Sequence, residues 1–302
     1  MAVVEEYHAG SRPSSATAQL LDQELAGLDA LDLPAQRRRR TARRVWAATW
    51  PKLAAVALGL GLWELVVLSG WKPEYVLPGP GPVLSTLWER LADGSLLQAA
   101  QITMARAVSG FLLAIVIGVA VGSAVALIKP LRVAVGSLLT GLQTMPSIAW
   151  FPLAILIFKL SEEAIMFVVV LGAAPAIANG LVYGADHIPP LFLRAGRVLG
   201  ASGVSMYRHV MLPAILPSFV GGLKQGWAFA WRSLMAGELI VILANRPSIG
   251  VQLQFAREFS NARALLATMI VILFIGIVVD TLFFGTAERS LRRRWGLLQE
   301  SA

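Results

Sequence analysis

Five charged side chains stand inside long apolar runs of this sequence: Glu64, Lys224, Arg232, Glu238 and Asp280. A charge within a bilayer costs about 2.5 to 3.5 kcal/mol on insertion scales, so such residues mark a cavity or a partner. Arg232, next to Trp231, offers a planar fork of donors that suits an oxyanion. The competing reading is a structural salt bridge to Glu238, Glu64 or Asp280. Arg232 and Glu238 lie roughly 120° apart around a helix, so they need not pair with each other. In "QTMPSIAWFP", Pro146 and Pro152 each remove a backbone donor and kink an apolar helix. Gln143 and Met145 beside the first proline could line a path, with core packing the alternative for Met145. The candidate pathway residues are therefore Gln143, Met145, Pro146, Trp231, Arg232 and Glu238.

Other chemistries find little support. Cysteine is absent, which excludes disulfides, thiol nucleophiles and cysteine metal sites. His8, His187 and His209 are far apart, lack His-Glu-x-x-His spacing and read as surface residues rather than metal ligands. No Gly-x(4)-Gly-Lys-Ser/Thr phosphate loop occurs. The chain carries no catalytic motif, and no bound cofactor or metal is expected.

The elements that position these residues are membrane helices. The 302 residues are 56% hydrophobic and 15% charged, with a mean hydropathy of +0.67, which requires a bilayer. Runs long enough to cross it, about 20 residues, lie near 52–69, 104–128, 133–158, 163–184, 215–243 and 264–286. An all-α polytopic protein with about six transmembrane helices is predicted. The net charge of +8 gathers at Arg37 to Arg40, Arg43, Arg44 and Arg292 to Arg294, flanking apolar segments. That is the Lys and Arg excess of cytoplasmic span ends rather than a nucleic-acid surface, and it places both termini and the 185–213 loop in the cytoplasm. No cleaved secretory signal is expected.

Three regions follow: an N-terminal extension over 1–50, a transmembrane domain over 51–288 and a basic tail over 289–302. In the extension, Leu20, Leu21, Leu25, Leu28 and Leu31 have near-helical spacing among acidic residues, as in an amphipathic helix on a membrane surface or partner subunit. "QRRRRTARR" reads as its basic stop. "YVLPGPGPVLSTLWERL" reads as an external hairpin leading to an interfacial helix.

The polar stretch "RAGRVLGASGVSMYRHVMLP" reads as a short helix, a bend at Gly200 to Gly203, and a second short helix stopped by Pro213 and Pro217. Two short helices at an angle make a knob suited to a groove on another protein. Arg194, Ala195, Gly196, Gly200, Ala201, Val210, Leu212 and Pro213 carry the pattern.

This pattern resembles the cytoplasmic loop signature of ABC importer permeases, Glu-Ala-Ala-x(3)-Gly-x(9)-Ile-x-Leu-Pro, with Arg194 in place of the Glu and Gly196 in place of the second Ala. "VLPGPGPVL", "QTMPSIAWFPLAI" and "GWAFAWRSLMAGELI" look like the subfamily that imports nitrate, aliphatic sulfonates and taurine. The resemblance runs from about residue 50 onward and implies a type I importer-like permease. It implies two ATP-binding subunits holding ATP and Mg, a second permease copy, an extracytoplasmic substrate-binding protein and a bacterial inner-membrane location. It further implies that the 194–213 loop transmits ATPase closure to the spans, with alternating access importing an aliphatic sulfonate first, nitrate or taurine next. The alternatives are another small solute, or an ATP-independent channel or intramembrane enzyme indifferent to loss of an ATPase.

Overall fold

The computed structural model describes residues 34–243 and 246–294, and among these all regular structure is helical. The chain divides into two compact units, Met1–Ser69 and Gly70–Ala302. The amphipathic pattern at 20–31 lies outside the described residues.

In the first unit, α1 (Pro34–Leu68) runs through the arginine cluster and past Pro51. The basic stretch is thus itself helical, while the end of any helix before it lies outside the described residues. Arginine is a good helix former, and one proline forfeits only one ladder bond. The Thr49–Leu68 part is long and apolar enough to cross a membrane.

The second unit opens with an irregular stretch and then α2 (Pro80–Ala92), whose first turn accommodates prolines because its N–H groups have no helical partner. The Pro-Gly run thus starts a helix, and Trp88 on it is exposed. Gly94 turns the chain at φ +78° into α3 (Ser95–Leu127), well before the start expected near 104. Asp93 accepts from the Ser95 N–H at 2.8 Å, and the backbone and side-chain hydrogen bonds of Ser95 hold its carboxyl below the usual range.

The run expected to kink over 133–158 is broken instead. α4 (Lys129–Thr144) ends before Met145 and Pro146, a 3-10 turn follows (Ser147–Trp150), and α5 (Phe151–Phe158) departs at 103°. Pro146 makes the break, while Pro152 sits in the first turn of α5, where it costs nothing.

α6 (Glu162–Asp186) leads to α7 (Pro190–Val198), then α8 (Gly203–Met206), a π-helical turn (Tyr207–Met211) and α9 (Leu212–Ile240). Pro213 was expected to stop the second short helix, but the chain remains helical through it. A proline ring clashes with the carbonyl four residues back, and the widened turn over 207–211 relieves that clash at His209. α10 (Ile249–Glu258), α11 (Ala262–Val279), a second π turn (Asp280–Phe284) and α12 (Gly285–Arg294) complete the described chain.

Among the described residues four helical stretches qualify as membrane spans by length and composition, and the bent α4–α5 pair would make a fifth. α9 corresponds to the remaining predicted run. Its 29 residues reach roughly 43 Å, but Lys224, Arg232 and Glu238 lower its apolarity.

Small residues at every fourth position let these helices touch. α3 presents Gly110, Ala114, Gly118 and Gly122, α6 presents Gly172, Ala176, Gly180 and Gly184, and α9 presents Ser218, Gly222, Gly226 and Ala230. A Cβ at Gly180 would stand 2.7 Å from the Gly222 Cα, and one at Gly118 would stand 2.8 Å from the Ala174 carbonyl oxygen. Lipid gives apolar side chains little reason to seek each other, so close backbone packing supplies much of the association. Phe151, Ile165, Ile177 and Leu234, all fully buried, fill the core around it.

Candidate functional site

The break in the α4–α5 span opens a cavity of about 300 Å3 against α6 and α9. Gln143, Met145 and Pro146 line it from the break, Ile148 from the 3-10 turn, and Phe229 and Arg232 from α9. Four of the six pathway candidates from the sequence therefore meet around one space. Trp231 and Glu238 do not. Trp231 points into the core, where it stacks on Trp227 at 6.3 Å between ring centroids. Glu238 is fully buried in a separate polar network.

Arg232 is held by its own helix. Its Nε donates to the Ala228 carbonyl at 3.0 Å, and its guanidinium lies 4.8 Å from the Phe229 ring centroid, a cation–π distance. Among the described residues it makes no ion pair: Asp280 lies 3.4 Å from Lys224, and Glu238 is engaged by Arg106. The Nη groups are thus left for another acceptor. The Gln143 amide nitrogen is shut away from solvent with no hydrogen-bond partner among the described residues. An unsatisfied buried donor of this kind costs about 1 to 3 kcal/mol. No carboxylate lines the cavity.

The network around Glu238 has at its centre a residue absent from the sequence candidates, Arg106. Its Nε and Nη2 donate to the two carboxylate oxygens of Glu162 at 2.8 and 2.7 Å, and its Nη1 donates to Glu238 at 3.0 Å. Glu238 also accepts from the Thr103 hydroxyl at 2.9 Å and the Gly250 N–H at 3.0 Å. Thr103 in turn accepts from the Ile249 N–H at 3.0 Å. Arg246 adds a contact to Glu162 at 3.4 Å. Each of the three guanidinium nitrogens of Arg106 has a carboxylate acceptor, which is how a buried charge is tolerated. The network ties α3, α6 and α9 to the start of α10. The rule that picked out Arg232 applies equally to Arg106, which lies inside the predicted 104–128 run.

At the opposite end of the bundle, α7 and the 203–211 segment form a knob. α7 ends in a Schellman motif: the Ala201 N–H reaches the Gly196 carbonyl at 2.9 Å, the Gly200 N–H reaches that of Arg197 at 3.0 Å, and Gly200 takes φ +82°. Gly196 is buried, and a Cβ there would stand 3.0 Å from both the Met206 sulfur and Val210 Cγ2, so the glycine sets the spacing of the two halves. Arg194, Ala195 and Leu212 are exposed, whereas Ala201, Val210 and Pro213 are half-buried. Val198, Leu199 and Val204 are more than four-fifths exposed. His187 stacks on Tyr183, and His209 contacts the Ser205 carbonyl at 3.1 Å; both histidines are exposed.

Residues 110–293, more than half of the chain, match the family model described as the binding-protein-dependent transport system inner membrane component. The chain belongs to this family. The permease is 29% identical over 233 residues to an ABC transporter permease protein of Methanocaldococcus jannaschii, covering 76% of this chain and 86% of the relative. It is 28% identical over 243 residues to an aliphatic sulfonates transport permease protein of Bacillus subtilis, covering 80% and 87%. It is 27% identical over 258 residues to the taurine transport system permease protein of Escherichia coli, covering 81% and 90%. Its fold is that of a chain in the inward-facing MetNI methionine ABC transporter, with a TM-score of 0.55 and 19% identity over 65% of the permease and 96% of that chain. The all-α, type I importer-like architecture expected from the sequence is thus the one observed.

Proposed function

We propose that this permease imports a small oxyanion, an aliphatic sulfonate first and nitrate or taurine next, by ATP-driven alternating access across a bacterial inner membrane. The 51–288 domain works as a pair of identical chains, since one permease chain per ATPase closes a twofold transporter only with two of each. Two ATP-binding subunits carry ATP and Mg, and an extracytoplasmic binding protein delivers the solute. Both termini and the knob face the cytoplasm, and the 1–50 extension and 289–302 tail flank the transport domain there.

The observation that carries the reading is the knob. Leu191, Val198, Leu199 and Val204 expose apolar side chains on a segment whose fold is fixed internally by the Schellman turn and the Gly196 contact. A rigid apolar surface between two spans needs a partner to cover it. In the proposed cycle the coupling residues Arg194, Ala195, Gly196, Gly200, Ala201, Val210, Leu212 and Pro213 follow the closing ATPase subunits, and the spans open the cavity toward the binding protein. Hydrolysis resets them.

The test is uptake of labelled taurine, a longer alkanesulfonate and nitrate by proteoliposomes holding the permease with its ATPase and binding protein. Uptake of one anion that stops without ATP supports the reading. Uptake that continues without ATP makes the protein a facilitator and overturns it.

A further inference from the structure

We propose that the cavity at the α4–α5 break is itself a selective site for sulfonates with an uncharged tail, so that the permease discriminates against an ammonium-bearing sulfonate such as taurine. The proposal rests on the transport reading above and concerns what the same cavity admits.

The cavity lining is mixed. The Arg232 guanidinium, anchored through Nε and the Phe229 ring, keeps its Nη donors free of protein acceptors among the described residues. Gln143 lines the same space and carries an unmatched amide nitrogen. A sulfonate presents three oxygens and a fixed negative charge, so it can accept from an arginine fork and from a neighbouring amide together. The amide reaches a ligand by rotating toward the head group, which gives it the acceptor it lacks.

Met145, Ile148 and Phe229 add an apolar wall to the same lining, which also includes the hydroxyl residues Thr144 and Ser147. An alkyl chain is dehydrated against such a wall with a gain in free energy. A terminal ammonium meets no counter-charge there, only neutral polar residues such as Thr144 and Ser147. Among the described residues no Asp or Glu lines the cavity to pair with it, and Arg232 repels it. A charge removed from water without a counter-charge is strongly disfavoured. Nitrate has the charge but no tail, and leaves the apolar wall uncovered.

Ethanesulfonate and taurine differ in the ammonium group alone, so they form the deciding pair. The experiment measures equilibrium binding of each, radiolabelled, to the detergent-purified permease–ATPase complex without the binding protein, which removes that protein's own selectivity. Ethanesulfonate is expected to bind at least about tenfold more tightly than taurine, and hexanesulfonate more tightly still. Gln143→Leu weakens all sulfonates several-fold, and Arg232→Ala removes saturable binding. Ile148→Asp, which supplies a carboxylate on the apolar wall, narrows or reverses the preference. Co-purification of the ATPase with each variant shows that the fold survives.

Equal binding of taurine and ethanesulfonate, or saturable binding of neither, overturns the proposal. ATP-driven uptake with the binding protein, run on the same preparations, separates this failure from the other. If uptake occurs and selectivity does not, only the cavity inference is lost; if no anion is taken up with ATP, the transport reading falls.

Discussion

Arg106 and Glu238 meet at 3.0 Å, 132 positions apart in sequence, with 4% and 0% of their surfaces exposed. Each guanidinium nitrogen of Arg106 and each carboxylate oxygen of Glu238 is engaged, so the pair behaves as a single polar core at one end of three packed helices. Losing either partner strands the other in a low-dielectric interior, at a cost of about 3 to 5 kcal/mol. Arg106→Ala and Glu238→Ala should each lower the thermal unfolding temperature and the yield of inserted protein. The double variant should lose less than the sum of the two, and strict additivity in a double-mutant cycle would show that the pair is not coupled.

The glycine crossing gives a sharper contrast. Gly180→Val forces a side chain into the Gly222 backbone, whereas Gly221→Ala points into open space. The first should destabilise by at least about 1 to 3 kcal/mol and expose α6 and α9 to protease, while the second stays within about 0.5 kcal/mol of the parent. Equal protease resistance of the two variants would contradict the packing described.

Arg232 predicts the opposite separation. It is exposed and unpaired among the described residues, so Arg232→Ala should change thermal stability by no more than about 0.5 kcal/mol. Anion transport should fall by about tenfold or more, as expected when a charged recognition contact is removed. Unchanged uptake kinetics would take Arg232 out of the pathway.

At the knob, a Cβ added to Gly200 meets nothing within 4 Å, so a side chain there projects outward, while the left-handed φ of +82° adds about 1 to 2 kcal/mol of local backbone strain. Gly200→Asp and Leu199→Glu should insert normally yet retain the ATPase poorly during purification, with transport abolished. Normal uptake by Gly200→Asp would end the docking role.

The spans themselves were legible because 20-residue apolar runs leave few alternatives, and the α4–α5 break was signalled by Pro146, although as a kink. The knob's first half was legible from Gly200. Its second half was not, since nothing local reveals that a π turn will carry the helix through Pro213. The fourfold spacing of small residues, Gly110, Ala114, Gly118 and Gly122 and again Gly172, Ala176, Gly180 and Gly184, is legible in the sequence as well. Arg106 could have been found by the rule applied to Arg232. Its partners could not, because residues that meet from three distant helices leave no periodic trace in any one of them. The convergence of Gln143 with Arg232 is likewise a product of tertiary packing.

The two walls of the cavity are mechanically unlike. From Gly203 to Ile240 every residue is helical, so the second half of the knob and Arg232 stand on one continuous helical lever. The facing wall is interrupted at Met145 and Pro146, where extended backbone makes a joint. In the proposed cycle, a push at the lever's foot travels along it toward position 232, and the facing wall yields at the Met145–Pro146 joint.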